Sequence, residues 1–133
     1  MSSVYVGGAS RELERVERFI ARVKAAGHTI TFDWTVGVRM ALWMPRQRHE
    51  SPMSASNRAA IWSDCINGVS EAAVCVFLAP ASAETRGMWA EIGVRHACGG
   101  EAIYVGHDDD SIATSMMTVV ADDDAAFDAL VSR

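Results

Sequence analysis

The apolar run Ala73-Val74-Cys75-Val76-Phe77-Leu78 decides the fold class of this chain. Such a continuous run indicates a strand covered on both faces, as in the middle of a parallel sheet. Strand-like and helix-like segments alternate on both sides of it along the chain. That alternation predicts an α/β domain with helices on both faces of the sheet.

Two strands and a helix are predicted before this run. Val4-Tyr5-Val6 is a short buried strand that ends at Gly7-Gly8. An amphipathic helix follows, with Ser10 as its N-cap and Gly27 at its C-terminal stop. Residues 28–32 form the second predicted strand.

The alternation of strand-like and helix-like segments stops between residue 36 and about residue 55, where the apolar residues have no clean periodicity. Irregular segments of this length in a small domain are commonly functional. We therefore predict a substrate lid, with one short helical turn near Arg39 to Trp43. Its arginines are Arg39, Arg46 and Arg48.

The rest of the chain continues the alternation. Ser54 or Ser56 caps a helix that precedes the central strand, and Ile61, Cys65 and Val69 lie on one face of this helix. A helix at 88–97, a strand at 102–105, a fifth strand at 117–120 and a closing helix at 122–131 follow. The prediction is a single domain over residues 1–133: a flavodoxin-like (Rossmann-like) parallel sheet of four to five strands.

The composition of the chain limits the classes of function that are expected. The chain has 133 residues and a net charge of −5, which argues against a partner as anionic as nucleic acid. Three cysteines without a paired spacing indicate reduced thiols. The four histidines have no metal-binding spacing, so neither a metal nor another cofactor is expected. No signal peptide or membrane span is found, which predicts a cytoplasmic protein.

Polar groups follow three predicted strands, where parallel α/β sheets bind ligands. They are the segments Gly7 to Arg11, Asp33 to Thr35 and Pro80 to Glu91. Glu91 falls in a helix among apolar neighbours, and a carboxylate in such surroundings is either paired structurally or kept for chemistry.

The segment from Gly87 to Gly93 resembles the Gly-x-x-x-Glu-x-Gly signature of the nucleoside 2-deoxyribosyltransferase superfamily. This superfamily includes 2′-deoxynucleoside 5′-phosphate N-hydrolases and pyrimidine nucleotide N-glycosidases. The resemblance extends from Val4 to about Met117. It includes the strand and turn at 4–8, the stretch 27–35 and the helix that carries Asp64.

The resemblance implies that Glu91 is the nucleophile that attacks the anomeric carbon, through a covalent glycosyl ester. It implies that Asp64 manages protons on the leaving base, or holds the nucleophile and sugar in place. It also implies that Tyr5 orients the nucleophile or the sugar. The expected substrate-binding residues are Gly7, Gly8, Ser10, Arg11, Asp33, Trp34, Thr85, Gly87 and Ser115. Ser115 resembles a serine from the neighbouring subunit, so a homodimer with a shared site is expected. Ala9 departs from the family's Gly-Ser turn, and Ser10 is the substitute for that serine.

The expected activity is therefore cleavage of the N-glycosidic bond of a nucleoside or nucleoside 5′-monophosphate. Capture of the sugar by a second base makes the enzyme a 2-deoxyribosyltransferase, and capture by water makes it an N-hydrolase. Arg11, Ser10 and Thr85 favour a phosphorylated substrate and hydrolysis. The alternatives are a non-catalytic nucleotide sensor and a related NAD-cleaving or cytokinin-phosphate-releasing fold; the chain lacks the PGGxGTxxE string of the last.

Overall fold

The computed structural model describes residues 1–43, 54–81 and 85–133. Five parallel strands form one sheet in the order β2-β1-β3-β4-β5. The strands are β1 (Ser3–Gly7), β2 (Thr29–Ile30), β3 (Val74–Leu78), β4 (Glu101–Val105) and β5 (Thr118–Val120). This order is that of flavodoxin-like sheets, and it confirms the predicted α/β class.

The central strand is β3, as predicted, and all of its residues are buried. It pairs with β1 on one side and β4 on the other. The strand order reverses between β1 and β3, because β1 continues to β2 whereas β3 continues to β4. In such sheets the crevice at this reversal is the usual place for a ligand.

Helices cover both faces of the sheet. They are α1 (Leu13–Ala25), α2 (Thr35–Trp43), α3 (Ala55–Glu71), α4 (Arg86–Cys98) and α5 (Asp123–Val131). On one face α1 packs on α5, where the rings of Phe19 and Phe127 meet edge to face at 6.4 Å. On the other face α3 and α4 pack side by side. The functional candidates on β1 and α4 therefore meet beneath the second pair of helices.

Local chemistry explains several helix ends. The Ser54 hydroxyl accepts a hydrogen bond from the Asn57 amide at 3.2 Å, which confirms Ser54 as the cap of α3. Gly27 adopts φ +93° after α1, a left-handed conformation that favours glycine. The prediction that Ser10 caps α1 was wrong. Ser10 begins a single 3-10 turn, Ser10–Glu12, and α1 starts after it without a side-chain cap.

The predicted irregular segment after β2 was partly wrong, since its first part is the nine-residue helix α2. Asp33 starts this helix by accepting hydrogen bonds from the Thr35 amide, at 3.0 Å, and the Thr35 hydroxyl. The helix is held by burial of Val38 and by an ion pair between Arg39 and Glu17 of α1. Tertiary contacts thus stabilise a helix whose own pattern is weak. The remainder of the predicted lid, with Arg46 and Arg48, lies outside the described residues.

The second strand is also shorter than predicted. Only Thr29 and Ile30 pair with β1, whereas residues 28–32 were expected. The Thr31 amide still donates to the Val4 carbonyl of β1 at 3.0 Å, while its hydroxyl donates to the Gly68 carbonyl of α3 at 2.8 Å, so the chain leaves the sheet edge after this residue.

In the described ranges, no helix combines the length and apolarity needed to cross a lipid bilayer. Nor do three or more metal-binding side chains cluster anywhere in that part of the chain.

Candidate active site

The site begins at β1, where alternate residues lie on the same face of the sheet. Tyr5 and Gly7 lie two residues apart and therefore share the face that α3 and α4 cover. Tyr5 is fully buried, and Gly7 is the last residue of the strand. A Cβ at position 7 would lie 2.7 Å from Phe77 Cδ1 and 3.1 Å from Glu91 Oε1. Glycine at this position leaves the space that the Glu91 carboxylate occupies.

Glu91 reaches this point from the second turn of α4. Glu91 is only 5% exposed, although its side chain carries a carboxylate. Oε2 accepts a short hydrogen bond from the Tyr5 hydroxyl, and Oε1 lies against Gly7. Burial without such partners would cost several kcal/mol, roughly the scale for an unpaired polar group. The pair therefore forms a site at the strand-order reversal.

The phenol is the proton donor of this pair. Burial raises the pKa of the Tyr5 hydroxyl well above its ordinary value, and the charge of Glu91 raises this pKa further. Tyr5 consequently keeps its proton at neutral pH and points it at the carboxylate. A carboxylate held by one oxygen in a fixed orientation has the geometry of a positioned nucleophile.

The turn after β1 lies at the same edge of the sheet. Gly8 is tightly packed, since a Cβ there would approach Val16 Cγ2 to 2.8 Å. Ser10 is partly buried and Arg11 is exposed. In the described part of the chain, the Arg11 side chain forms no hydrogen bond or ion pair. Its charge is available at the carboxyl edge.

Asp33 and Trp34 have structural contacts that the sequence did not indicate. Besides starting α2, Asp33 lies 3.9 Å from the ammonium group of Lys24. The buried indole of Trp34 donates to the Val6 carbonyl at 2.8 Å. Trp34 therefore braces the end of β1, next to Gly7, and its only polar atom already has a partner.

Thr85 and Gly87 lie at the start of α4. Thr85 occupies the N-cap position in an extended conformation, but its side chain caps no amide. Within the described residues the hydroxyl has no hydrogen-bond partner. Gly87 is exposed, and a Cβ there would meet nothing within 4 Å. Packing against the residues that the structure describes thus places no demand for glycine at position 87.

Asp64 and Ser115 are exposed in the single chain. Asp64 lies on α3 beside the buried Cys65. Ser115 lies in the 3-10 turn Ile112–Met116, and its hydroxyl donates to the Ile112 carbonyl at 2.8 Å. Of the three residues predicted to be catalytic, the structure brings Tyr5 and Glu91 into contact and leaves Asp64 facing solvent.

The loop after β3 is fixed by charged residues of α1. Arg15 Nη1 donates to the Ala79 carbonyl at 2.8 Å, and Glu12 Oε2 accepts from the Ala81 amide at 3.2 Å. Arg15 also forms a two-bond pair with Asp123 of α5, at 2.7 and 2.9 Å. The hydrogen bonds to Asp123 and to Glu12 raise the pKa of the Arg15 guanidinium. The start of the loop that leads to α4 is therefore held in place.

Two residues that the sequence reasoning did not assign belong to the surroundings of the site. Cys65 of α3 is buried, and its side chain contributes to the raised pKa of the Tyr5 hydroxyl. Arg95, one turn after Glu91, is buried and binds backbone carbonyls of neighbouring elements. For Cys65 a signal existed, since its spacing from Ile61 and Val69 predicted the buried face of α3. For Arg95 the sequence contains no such signal.

The fold and the buried pair define an α/β domain with a carboxylate and a phenol at the ligand-binding edge of its sheet. No protein-family model matches the chain, and no curated protein sequence matches it. Among solved structures, the fold is similar to that of the CMP N-glycosidase BcmB of Clostridium botulinum. The TM-score is 0.58 and the identity 14%, over 98% of this chain and 99% of that one. At this identity the likeness establishes the fold.

Proposed function

We propose that this chain cleaves the N-glycosidic bond of a nucleoside or nucleoside 5′-monophosphate, with Glu91 as the attacking carboxylate. The observation that supports it most is the buried pair of Glu91 and Tyr5 at the strand-order reversal. The resemblance of residues 87–93 to the superfamily signature agrees with it. The structural neighbour, a CMP N-glycosidase of the same fold, is a precedent for this chemistry on this architecture.

The proposed reaction has two steps. In the first, Glu91 attacks the anomeric carbon as the bond to the base nitrogen breaks, and the bonding electron pair leaves with the base, which takes up a proton. The result is a glycosyl ester of Glu91. In the second, water attacks the same carbon, releases the sugar and restores the carboxylate while losing a proton. Splitting one displacement into two lowers each barrier.

Tyr5 acts on the carboxylate in this scheme. Its hydrogen bond to Oε2 fixes the plane of the carboxylate and turns the other oxygen toward the end of β1. When the ester forms, the charge on Glu91 disappears, and the phenol bonds a neutral carbonyl oxygen instead. When water captures the sugar, the phenol stabilises the leaving carboxylate.

The phosphate of a nucleotide substrate would bind at the start of α1. The turn from Gly7 to Arg11 contributes backbone amides, and anions bind well at helix starts. Arg11 is the exposed cation nearest along the chain. Thr85, with its unused hydroxyl, is the proposed second contact.

Substitution of Arg11 tests whether the substrate carries a phosphate. We expect Arg11→Ala to raise KM for a nucleoside 5′-monophosphate roughly tenfold or more, on the scale of a lost charged hydrogen bond. Turnover of the unphosphorylated nucleoside should barely change. Steady-state kinetics on both substrates measures this, with the exposed Arg18→Ala as the matched control. Equal losses on both substrates would show that Arg11 supports the fold or the sugar.

The molecule that captures the sugar, either water or a second base, distinguishes the two forms of the proposed activity. The protein is incubated with ribo- and deoxyribo-nucleosides and their 5′-monophosphates, with and without a second free base. Release of base and of the sugar or sugar phosphate by water identifies an N-hydrolase, and the exposed Arg11 and the Thr85 hydroxyl are the support for this form. A new nucleoside formed with the second base identifies a 2-deoxyribosyltransferase. Binding of a nucleotide without release of base would contradict the proposal and support a sensor.

We also propose that the protein forms a homodimer that completes the site. In the single chain Ile112 is 95% exposed and Met116 70% exposed, on either side of Ser115. Exposed apolar residues grouped in this way are typical of contact surfaces. Asp64 also faces solvent in the isolated chain. A second subunit packed on this surface would bring its own Ser115 near the site. Ser115 and Asp64 would then have the roles that the resemblance implies.

Light scattering tests this proposal. We expect the mass of a symmetric dimer, or of an assembly of dimers, at the concentrations used for the activity assay. Ile112→Asp should shift the mass toward the monomer and reduce activity. A fully active monomer would rule out a shared site.

A further inference from the structure

The strand pairing between β1 and β3 ends at the edge where the proposed site lies. Its last pair is Gly7 with Phe77. Past this pair β1 leads to α1 on one face of the sheet, and β3 leads to α4 on the other face. The turn that leaves β1 and the loop that leaves β3 are therefore the two walls of the crevice at the strand-order reversal. The pairing of the strands does not extend to these walls.

Two side chains at the start of α1 join the walls. Glu12 is the last residue of the 3-10 turn Ser10–Glu12. Its Oε2 accepts a hydrogen bond from the Ala81 amide at 3.2 Å, across 69 positions of sequence. Arg15 Nη1 donates to Glu12 Oε1 at 2.7 Å and to the Ala79 carbonyl at 2.8 Å. The turn after β1 is thus tied to the loop after β3.

The charge of Glu12 is by itself unfavourable at this place. Glu12 follows directly after Arg11, the cation proposed to bind phosphate, and a carboxylate repels an anion. Both of its oxygens are engaged, one by the Arg15 guanidinium and the other by a backbone amide. Its contacts therefore offset a charge that would otherwise weaken the binding of an anion.

We propose that Glu12 is a positioning residue that holds the turn from Gly7 to Arg11 in the conformation that binds the phosphate of the substrate. It anchors the end of this turn to the loop after β3. The amides of the turn and the Arg11 guanidinium contact the phosphate, and Glu12 touches no reacting atom. Without the anchor the turn has to be ordered when the ligand binds, which lowers affinity. This inference rests on the proposed phosphate site.

The first test measures the anchor and does not depend on any ligand. Ala81 is exposed, so its amide proton is protected from exchange with solvent through the bond to Glu12. We expect Glu12→Ala to raise the NMR-detected exchange rate of this amide roughly three- to tenfold, the scale of one hydrogen bond. The Ala79 amide, which donates to the Val105 carbonyl at 3.1 Å, should keep its rate. An unchanged rate at Ala81 would overturn the inference.

The second test measures nucleotide binding by calorimetry. Every protein carries Glu91→Gln, so that the ligand is not consumed. The probes are a panel of ribo- and deoxyribo-nucleoside 5′-monophosphates, and the unphosphorylated nucleoside of the one that binds most tightly. We expect Glu12→Ala to raise Kd for this nucleotide roughly fivefold or more, with little change for the nucleoside. Loss of a negative charge alone would lower Kd for the nucleotide, so an unchanged or lower value would overturn the inference.

Two control variants separate the anchor from the charge. Glu14→Ala removes an equal charge from an exposed position in the first turn of α1, and we expect Kd for the nucleotide within about twofold of the reference. Glu12→Gln removes the charge but keeps an oxygen that can accept from the Ala81 amide, and we expect Kd within about twofold as well. Equal losses in Glu12→Gln and Glu12→Ala, both shown to be folded by thermal unfolding, would overturn the role of the bond to Ala81.

Combination with Arg11→Ala tests whether Glu12 acts through the turn. We expect the double variant to lose much less affinity for the nucleotide than the product of the two single effects, because both act on the same contact. Independent effects would contradict a positioning role. Binding that depends on Glu12 in a wild-type protein that releases no base would refute the proposed function and leave this inference in place. Release of base with binding that does not depend on Glu12 would do the reverse.

Discussion

Replacement of Glu91 by glutamine should abolish turnover while leaving the fold intact. Glutamine has the same shape, and its carbonyl oxygen can still accept the hydrogen bond from Tyr5. The amide cannot form the glycosyl ester, so the covalent route is lost. We expect kcat to fall by roughly three orders of magnitude or more, as for other lost nucleophiles.

The measurement is release of free base from the preferred substrate, with circular dichroism to check the fold. Glu101→Gln is the matched control, because Glu101 begins β4 at the opposite edge of the sheet and pairs with Arg133. Its kcat should equal that of the wild type. A folded Glu91→Gln protein with more than about a tenth of the wild-type rate would refute the role of Glu91.

A second large effect is expected on stability, at Arg95. This residue is only 2% exposed, and its guanidinium donates four hydrogen bonds to backbone carbonyls. The acceptors are Val69 at 3.0 Å, Ala72 at 2.8 Å, Ala73 at 2.9 Å and Glu101 at 3.0 Å. They belong to the end of α3, the turn that follows it and the start of β4. One side chain of α4 therefore joins three other elements.

Arg95→Met removes all four donors and leaves these carbonyls without that partner. We expect the free energy of unfolding to fall by about 3 kcal/mol or more, since unsatisfied buried groups cost more than a hydrogen bond contributes. Arg95→Lys should recover only part of it, because an ammonium has three donors and no planar fork. Space is also limited, since a Cβ on Gly100 would lie 2.1 Å from Arg95 Cζ.

Urea unfolding at a fixed protein concentration measures this change, with equal slopes required for the comparison. Arg18→Met on α1 is the matched control, because Arg18 is exposed, and we expect a change within about 0.5 kcal/mol. A loss of less than about 1 kcal/mol for Arg95→Met would show that the four hydrogen bonds contribute little net stability.

The types and order of the elements followed from the sequence because their signals are local. The apolar run at 73–78, the helical spacing on α1 and the cap at Ser54 each operate within a few residues. Where the sequence prediction was wrong, long-range contacts decided the structure. The α2 helix is held by Val38 and by the pair of Arg39 with Glu17, neither of which is visible in a local pattern.

Among the site residues, the resemblance placed Tyr5, Asp64 and Glu91 together. The structure joins Tyr5 to Glu91 across 86 positions of sequence and leaves Asp64 exposed. Adjacent residues of a helix point about 100° apart, so Asp64 cannot share the direction of Cys65. The periodicity that predicted the buried face of α3 already favoured Cys65 for contact with the sheet.

The sequence by itself determined that this chain alternates strands and helices and that a carboxylate at position 91 follows the central strand. Those features depend on propensity, spacing and caps, which act over one or two turns. Only the tertiary structure decided which groups meet. The strand order brings β1 beside β3, Gly7 leaves room for the carboxylate, and Arg95 joins α4 to the end of α3 and the start of β4. Contacts of this kind depend on the packing of elements distant in sequence, and side-chain alternation within one strand cannot specify them.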